Sequence, residues 1–295
     1  MILPFGQGAD VSSTDMSDSH GRTGRPTRAE AVDIQYEGAD AAAGYAAAHE
    51  GWGATARFFH SRFHVVTEAL RDCPGGDLID VGCGPGMLVR LLIDTRAADF
   101  KFTACDISPA MVAAAAERVS DESNVRLLVA RIEDIPLPDA SFDATVATGV
   151  LEYADADRGL RELARITRPD GLVVITMLNP LSLYRIFEWL VFWPGLRLLG
   201  QLEKLVGVPA GKRHGAPVTG IKAFSRGRLC RRMRAVGLRP HDFVYFDLSP
   251  APPPFDRLIR RISRGWRDHP ERTATRGAGR WMGSAYLVAA RRVPA

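Results

Sequence analysis

Residues 80–86 read Asp-Val-Gly-Cys-Gly-Pro-Gly. Three glycines in five positions let a backbone turn tightly and approach a ligand with no side chain between them. A dinucleotide fingerprint would place its third glycine at position 87, which is Met87. Asp80 argues the same way. A carboxylate beside a helix N-terminus repels a pyrophosphate and attracts an ammonium group. The chemistry therefore points to a cationic nucleoside with an amino-acid tail. Asp106 lies 20 residues beyond Gly86, where an acidic residue accepts hydrogen bonds from ribose hydroxyls. Ile132-Glu133-Asp134 follows as a third polar group.

These residues need elements to hold them. Asp77–Val81, Phe100–Cys105, Val125–Val129, Phe142–Ala147 and Leu172–Met177 are short apolar runs expected to be strands. Helical patterns lie between them: Met87–Asp94, Pro109–Val119 with Ser108 as its cap, and a helix containing Leu160–Ile166. Such βαβ alternation predicts a doubly wound, Rossmann-like, seven-stranded and mostly parallel sheet with helices on both faces. Phe59, Phe63, Val66 and Leu70 predict a helix from about Ala54, preceded by a loop-like Ala/Gly run around Tyr45. Later, Ser225 caps a helix to about Ala235, and Leu238–Phe246 and Ala285–Ala290 complete the strands. The expected organisation is a flexible tail at 1–33, a helical cap at 34–76 and a core at 77–178. A helical lid inserted at 179–222 and a C-terminal part at 223–295 follow, the latter with a second insertion at 249–283.

Five ordered segments, LIDVGCGPG (78–86), CDISPAMV (105–112), EDIPLPDASFD (133–143), GVLEY (149–153) and LRELARITRPDGLVVIT (160–176), resemble class I S-adenosylmethionine-dependent methyltransferases. The resemblance is to the small-molecule branch that includes ubiquinone- and menaquinone-biosynthesis and natural-product methyltransferases. It covers about residues 75–180 and returns at 224–246 and 285–292. It implies that S-adenosylmethionine is the cofactor and S-adenosylhomocysteine the product. Asp80 would meet the methionine amino group, with Gly82, Cys83, Gly84 and Gly86 forming the loop around the carboxypropyl and ribose parts. Asp106 would hold the ribose diol, Ile107 and Met111 would pack on the adenine, and Ile132 and Glu133 would lie at its edge. Thr148 and Gly149 would line the methionine side. Many relatives have Asp where this chain has Arg131, so Glu133 or Asp134 is left to meet the adenine amino group.

Methyl transfer from a sulfonium is an SN2 displacement that needs alignment and exclusion of water, with a general base only for some acceptors. No catalytic residue stands out; Tyr45, Tyr153, His49, His60, His64 and His214 are the candidates. Relatives often fold a segment near Tyr45 over the cofactor. Tyr36, Tyr184, Phe187 and Trp189 are candidate pocket residues, and the aromatic insertion suggests a lipophilic acceptor, prenylated, polyketide-like or aromatic. Carbon and oxygen acceptors both fit.

The net charge of +4 conceals an asymmetry, because residues 211–295 hold 19 Lys+Arg against 5 Asp+Glu. A basic third suits nucleic acid or an anionic surface. Nucleic acid is disfavoured, since residues 148–153 read Thr-Gly-Val-Leu-Glu-Tyr where base-amino methylases carry Asn/Asp-Pro-Pro-aromatic. A cyclase that keeps the cofactor without spending its methyl is the other alternative. Peripheral membrane contact and a homo-oligomer are both compatible with the apolar insertion. Four scattered cysteines without ligand spacing predict reduced thiols, no metal site and a cytoplasmic setting. The N-terminus lacks a leader pattern, and Arg185, Glu188, Pro194 and Arg197 interrupt the longest apolar stretch, so no membrane span is expected.

Overall fold

The computed structural model describes residues 39–50, 54–209, 222–248, 269–277 and 281–294. The expected tail at 1–33, Tyr36 and His214 lie outside them, as does most of the second insertion.

Seven strands form one sheet: β1 Gly76–Val81, β2 Phe100–Asp106, β3 Val125–Val129, β4 Phe142–Thr148, β5 Thr167–Leu178, β6 Leu238–Leu248 and β7 Gly283–Arg292. Their spatial order is β3-β2-β1-β4-β5-β7-β6. The first five pair in parallel, and β7 runs antiparallel between β5 and β6. The chain winds one way from β1 to β3 and the other way from β4, so the direction reverses between β1 and β4. Ligands in open α/β sheets bind at such a switch point, beyond the carboxyl ends of the strands.

Alternation along β1 sorts its side chains between two cores. Leu78 enters the layer beneath helices α2 (Ala54–Leu70), α3 (Met87–Arg96) and α4 (Pro109–Arg118). Ile79 enters the opposite layer, beneath α5 (Ala156–Ile166) and α8 (Arg226–Ala235). Burial on both faces explains why these strands read as continuous apolar runs. β5 begins at Thr167, ahead of the expected Leu172, and takes in Pro169–Gly171, with Asp170 at φ 59° marking an irregularity.

Ala39–Glu50 is a helix, α1, and not the loop-like run expected around Tyr45. Alanine has the highest helix propensity, and a tertiary contact compensates for the weak apolar periodicity. The His49 ring stacks on Phe59 of α2 at 3.6 Å between centroids. The first insertion is helical: α6 Leu183–Phe187, a π-helical turn Glu188–Phe192 and α7 Trp193–Leu205.

Candidate functional site

The parallel register brings the ends of β1, β2 and β4 level, with Val81 beside Cys105 on one side and Ala147 on the other. The turns that follow these strands surround a cleft of about 830 Å³, open to solvent. Its wall contains nine of the twelve residues expected at the cofactor: Gly82, Gly84, Asp106, Ile107, Met111, Ile132, Glu133, Thr148 and Gly149. Asp80, Cys83 and Gly86 stand behind this wall and shape it.

The loop folds as it does because its glycines take left-handed conformations. Gly82, Gly84 and Gly86 have φ of 75°, 52° and 77°. A Cβ on Gly86 would lie 3.0 Å from Ala115 Cβ, so α4 packs directly against the loop. Asp106 fixes the loop from the neighbouring strand. Its Oδ2 accepts from Gly84 N at 2.9 Å and its Oδ1 accepts from Ser108 N at 2.9 Å. Carboxylate oxygens carry further lone pairs, so Asp106 can hold the loop and still receive a diol. Burial raises its pKa, opposed by these backbone donors. Ser108 caps α4 through Met111 N, which presents Met111 to the cleft.

Asp80 is the decisive group. It is 1% exposed, and neither carboxylate oxygen has a hydrogen-bond partner among the described residues. Native structures rarely leave a buried carboxylate unsatisfied. Burial pushes its pKa up to about 7, against the pull of the Arg62 charge. Such a group, directly behind a glycine loop, fits a cationic ammonium that supplies the missing donors.

Arg62 was missed by sequence reasoning. It is 6% exposed, and its Nη2 donates to the Tyr45 hydroxyl at 3.3 Å. Its Nε has no partner among the described residues. Gly149, at φ 69°, makes room for it: a Cβ there would fall 3.0 Å from Arg62 Nη1. The guanidinium also lies over Phe59, 4.8 Å from the ring centre. The signal was present in the spacing, since Arg62 falls three residues after Phe59 and four before Val66, on the buried stripe of α2. A charge on an apolar stripe needs a reason.

Glu133, and not Asp134, lines the cleft; Asp134 is exposed. Glu133 Oε1 also accepts from Asp155 N at 2.9 Å, linking the β3 turn to the start of α5. Tyr45 and Tyr153 line the cleft, whereas His49, His60 and His64 do not. His49 is buried on Phe59 with Nδ1 2.9 Å from Tyr45 O, and burial pushes its pKa down to about 3. His60 Nε2 lies 3.2 Å from His49 O, and His64 is half-buried. Phe187 is half-buried, Trp189 is exposed, and neither lines the cleft. The expected pocket wall from this insertion is therefore not found at Phe187 or Trp189, and the side chain of Tyr184 lies outside the described part of the structure.

A family of proteins described as "Methyltransferase domain" matches residues 79–175, which span β1 to β5 and all the turns of the cleft. The cleft-forming part of the chain is thus similar to a methyltransferase domain. The match to this methyltransferase domain extends to curated relatives. Over 111 residues the chain is 35% identical to a malonyl-[acyl-carrier protein] O-methyltransferase of Serratia marcescens, covering 37% of this chain and 41% of the relative. Over 118 residues it is 33% identical to a ubiquinone/menaquinone biosynthesis C-methyltransferase of Geotalea daltonii, covering 39% and 49%. The matched part thus spans less than half the length of either relative. Among solved structures, geranyl diphosphate C-methyltransferase from Streptomyces coelicolor superposes with a TM-score of 0.51 at 19% identity, covering 79% of each chain. That likeness extends the shared fold beyond the methyltransferase domain itself.

Among the described residues no helix is long and apolar enough to cross a membrane, and no cluster of metal-ligating side chains occurs. The four cysteines are free. Burial raises the thiol pKa of Cys83, and that of Cys105 to about 12, which keeps both protonated as packing groups.

Proposed function

We propose that this chain is an S-adenosylmethionine-dependent methyltransferase that methylates a carbon or oxygen of a lipophilic small molecule. The observation that carries the reading is the buried, unpartnered Asp80 carboxylate behind the glycine loop. A charged amino group is the ligand chemistry that relieves it. The residues fit the rest of the cofactor as well. Arg62, with an unused Nε beside the cleft, suits the carboxylate of the same amino-acid end. Asp106 suits the ribose diol, Ile107 and Met111 the adenine faces, and Glu133 the adenine edge.

When bound, S-adenosylmethionine supplies an electrophilic methyl group on a sulfonium. The protein's task is then to orient and enclose. Asp80 and Arg62 hold opposite ends of a zwitterion and fix the depth of the amino-acid tail. Thr148 and Gly149, at the end of β4, set the wall past which the acceptor approaches. Tyr45 and Tyr153 line the cleft and would orient an acceptor hydroxyl or enol; no histidine among the described residues lines it. Preorganised alignment of this kind contributes on the order of 7–11 kcal/mol to a bimolecular displacement. The two curated relatives carry names for O- and C-methylation, which supports the reaction class and leaves both acceptor atoms in play.

Calorimetric titration with S-adenosylhomocysteine tests the reading. Binding that Asp80→Asn abolishes is expected. Absence of binding by the intact chain would remove the cofactor, and with it the reaction.

A further inference from the structure

We infer that the helical insertion is a docking surface for an anionic lipid bilayer. No residue of α7 is buried. Leu198, Leu202 and Leu205 recur at i, i+4 and i+7, so they share one face, and Leu205 is 82% exposed. Val206, which follows Leu205, is 80% exposed, and Leu190 and Trp189 of the preceding π-helical turn are exposed at 73% and 53%. A contiguous exposed apolar stripe of this kind is uncommon on a protein that keeps all its faces in water.

Charge decides between occupants. Arg197 and Lys204 are seven residues apart, hence on one face of α7, and both are exposed at the flank of the leucine stripe. Glu203 is the one carboxylate between residues 189 and 209. A helix with leucines along one face and basic residues at its flank lies in the plane of a membrane interface, its cations toward anionic headgroups. A second copy of the chain is a poorer occupant. A two-fold interface sets the same patch against itself, which would bring this basic margin against its own copy.

The fold gives the surface a firm base. Arg185 Nη1 pairs with Glu188 Oε2 at 2.6 Å beneath the π-helical turn. Leu178 N donates to Glu152 Oε1 and Lys222 N to Glu152 O, both at 2.9 Å, so the two ends of the insertion meet on one residue. That residue lies next to Tyr153 of the cleft wall. The insertion is therefore anchored at both ends beside the cleft wall. The docking rests on the surface alone and does not require the methyl-transfer reading.

The test is co-sedimentation of the full chain with vesicles of phosphatidylcholine alone and of phosphatidylcholine with one quarter phosphatidylglycerol. Sedimentation with the anionic vesicles is expected, weakened roughly tenfold or more in Leu198→Ser/Leu202→Ser/Leu205→Ser. Arg197→Gln/Lys204→Gln should weaken it by a smaller factor, as should high salt. Unchanged thermal unfolding controls for folding, and Leu205→Ser alone serves if the triple variant unfolds. Absence of sedimentation overturns the proposal, as does sedimentation indifferent to the leucine variants or equal on both vesicle types. Sedimentation velocity adds one more arm: a wild-type dimer that the leucine variant makes monomeric, without vesicle binding, would assign the face to a second copy.

Discussion

Replacing Asp80 with asparagine should make the ligand-free protein more stable at alkaline pH while destroying its cofactor site. The carboxylate is buried and unpartnered, and its pKa rises from the ordinary 3.8 to about 7. At acid pH the group is protonated in both folded and unfolded chains and costs nothing. Between about pH 4 and pH 7 the unfolded chain has released this proton while the folded chain still holds it. Stability therefore falls as pH rises and levels off above 7. The full penalty corresponds to about 4 kcal/mol at ~1.36 kcal/mol per pKa unit. The asparagine amide must itself be buried, so the net gain expected at pH 8 is about 1–3 kcal/mol, with none at pH 4. Thermal unfolding should show a rise of a few degrees at pH 8. The same variant should lose the stabilisation that S-adenosylhomocysteine confers on the wild type. Leaving a buried ammonium without its carboxylate costs at least about 2 kcal/mol, or roughly 30-fold in affinity. An Asp80→Asn protein destabilised equally at pH 4 and pH 8, or one still stabilised by the ligand, would refute the assignment.

Arg62→Met should weaken S-adenosylhomocysteine binding and, by removing the one cation felt by both Asp80 and Glu152, push both carboxyl pKa values higher. The pH at which thermal stability begins to recover on acidification should then move upward. Gly84→Ala and Gly86→Ala should separate binding from folding. A Cβ at Gly84 meets only Tyr45 at 3.7 Å and faces the cleft, so ligand affinity suffers more than stability. At Gly86 it meets α4 at 3.0 Å with φ 77°, and denaturant unfolding should report a loss of about 2 kcal/mol. Arg57→Ala should cost about 3–5 kcal/mol, because its 2.7 Å ion pair with Asp247 is buried, and adding Asp247→Ala should restore part of the loss.

The parts of the fold that could be read from the chain are those where one local rule dominates. Val125–Val129 is apolar but for Arg126, and its strand has those limits. Ser108-Pro109 opens a helix because cap and N1 chemistry agree. The glycine loop and Asp106 announce the cleft because glycine takes left-handed conformations at least cost and a carboxylate at that spacing supplies a ribose acceptor. What escaped the sequence depends on distant partners. Helix α1 carries little apolar periodicity and is recognisable only through His49 and Tyr45 packing on Phe59. Arg62 looks like one arginine among 34 until Tyr45 and Gly149 are seen against it. The aromatic insertion reads as a pocket wall from composition alone. Only the structure shows its leucines facing solvent and Phe187 and Trp189 outside the cleft.

The central claim is tested most directly by incubating the purified chain with methyl-labelled S-adenosylmethionine and an extract of the source cells, then partitioning the products. Label in the organic phase, absent with Asp80→Asn, is the predicted result. Label confined to an aqueous polymer and released by nuclease would contradict the lipophilic acceptor and assign the basic C-terminal third to nucleic acid.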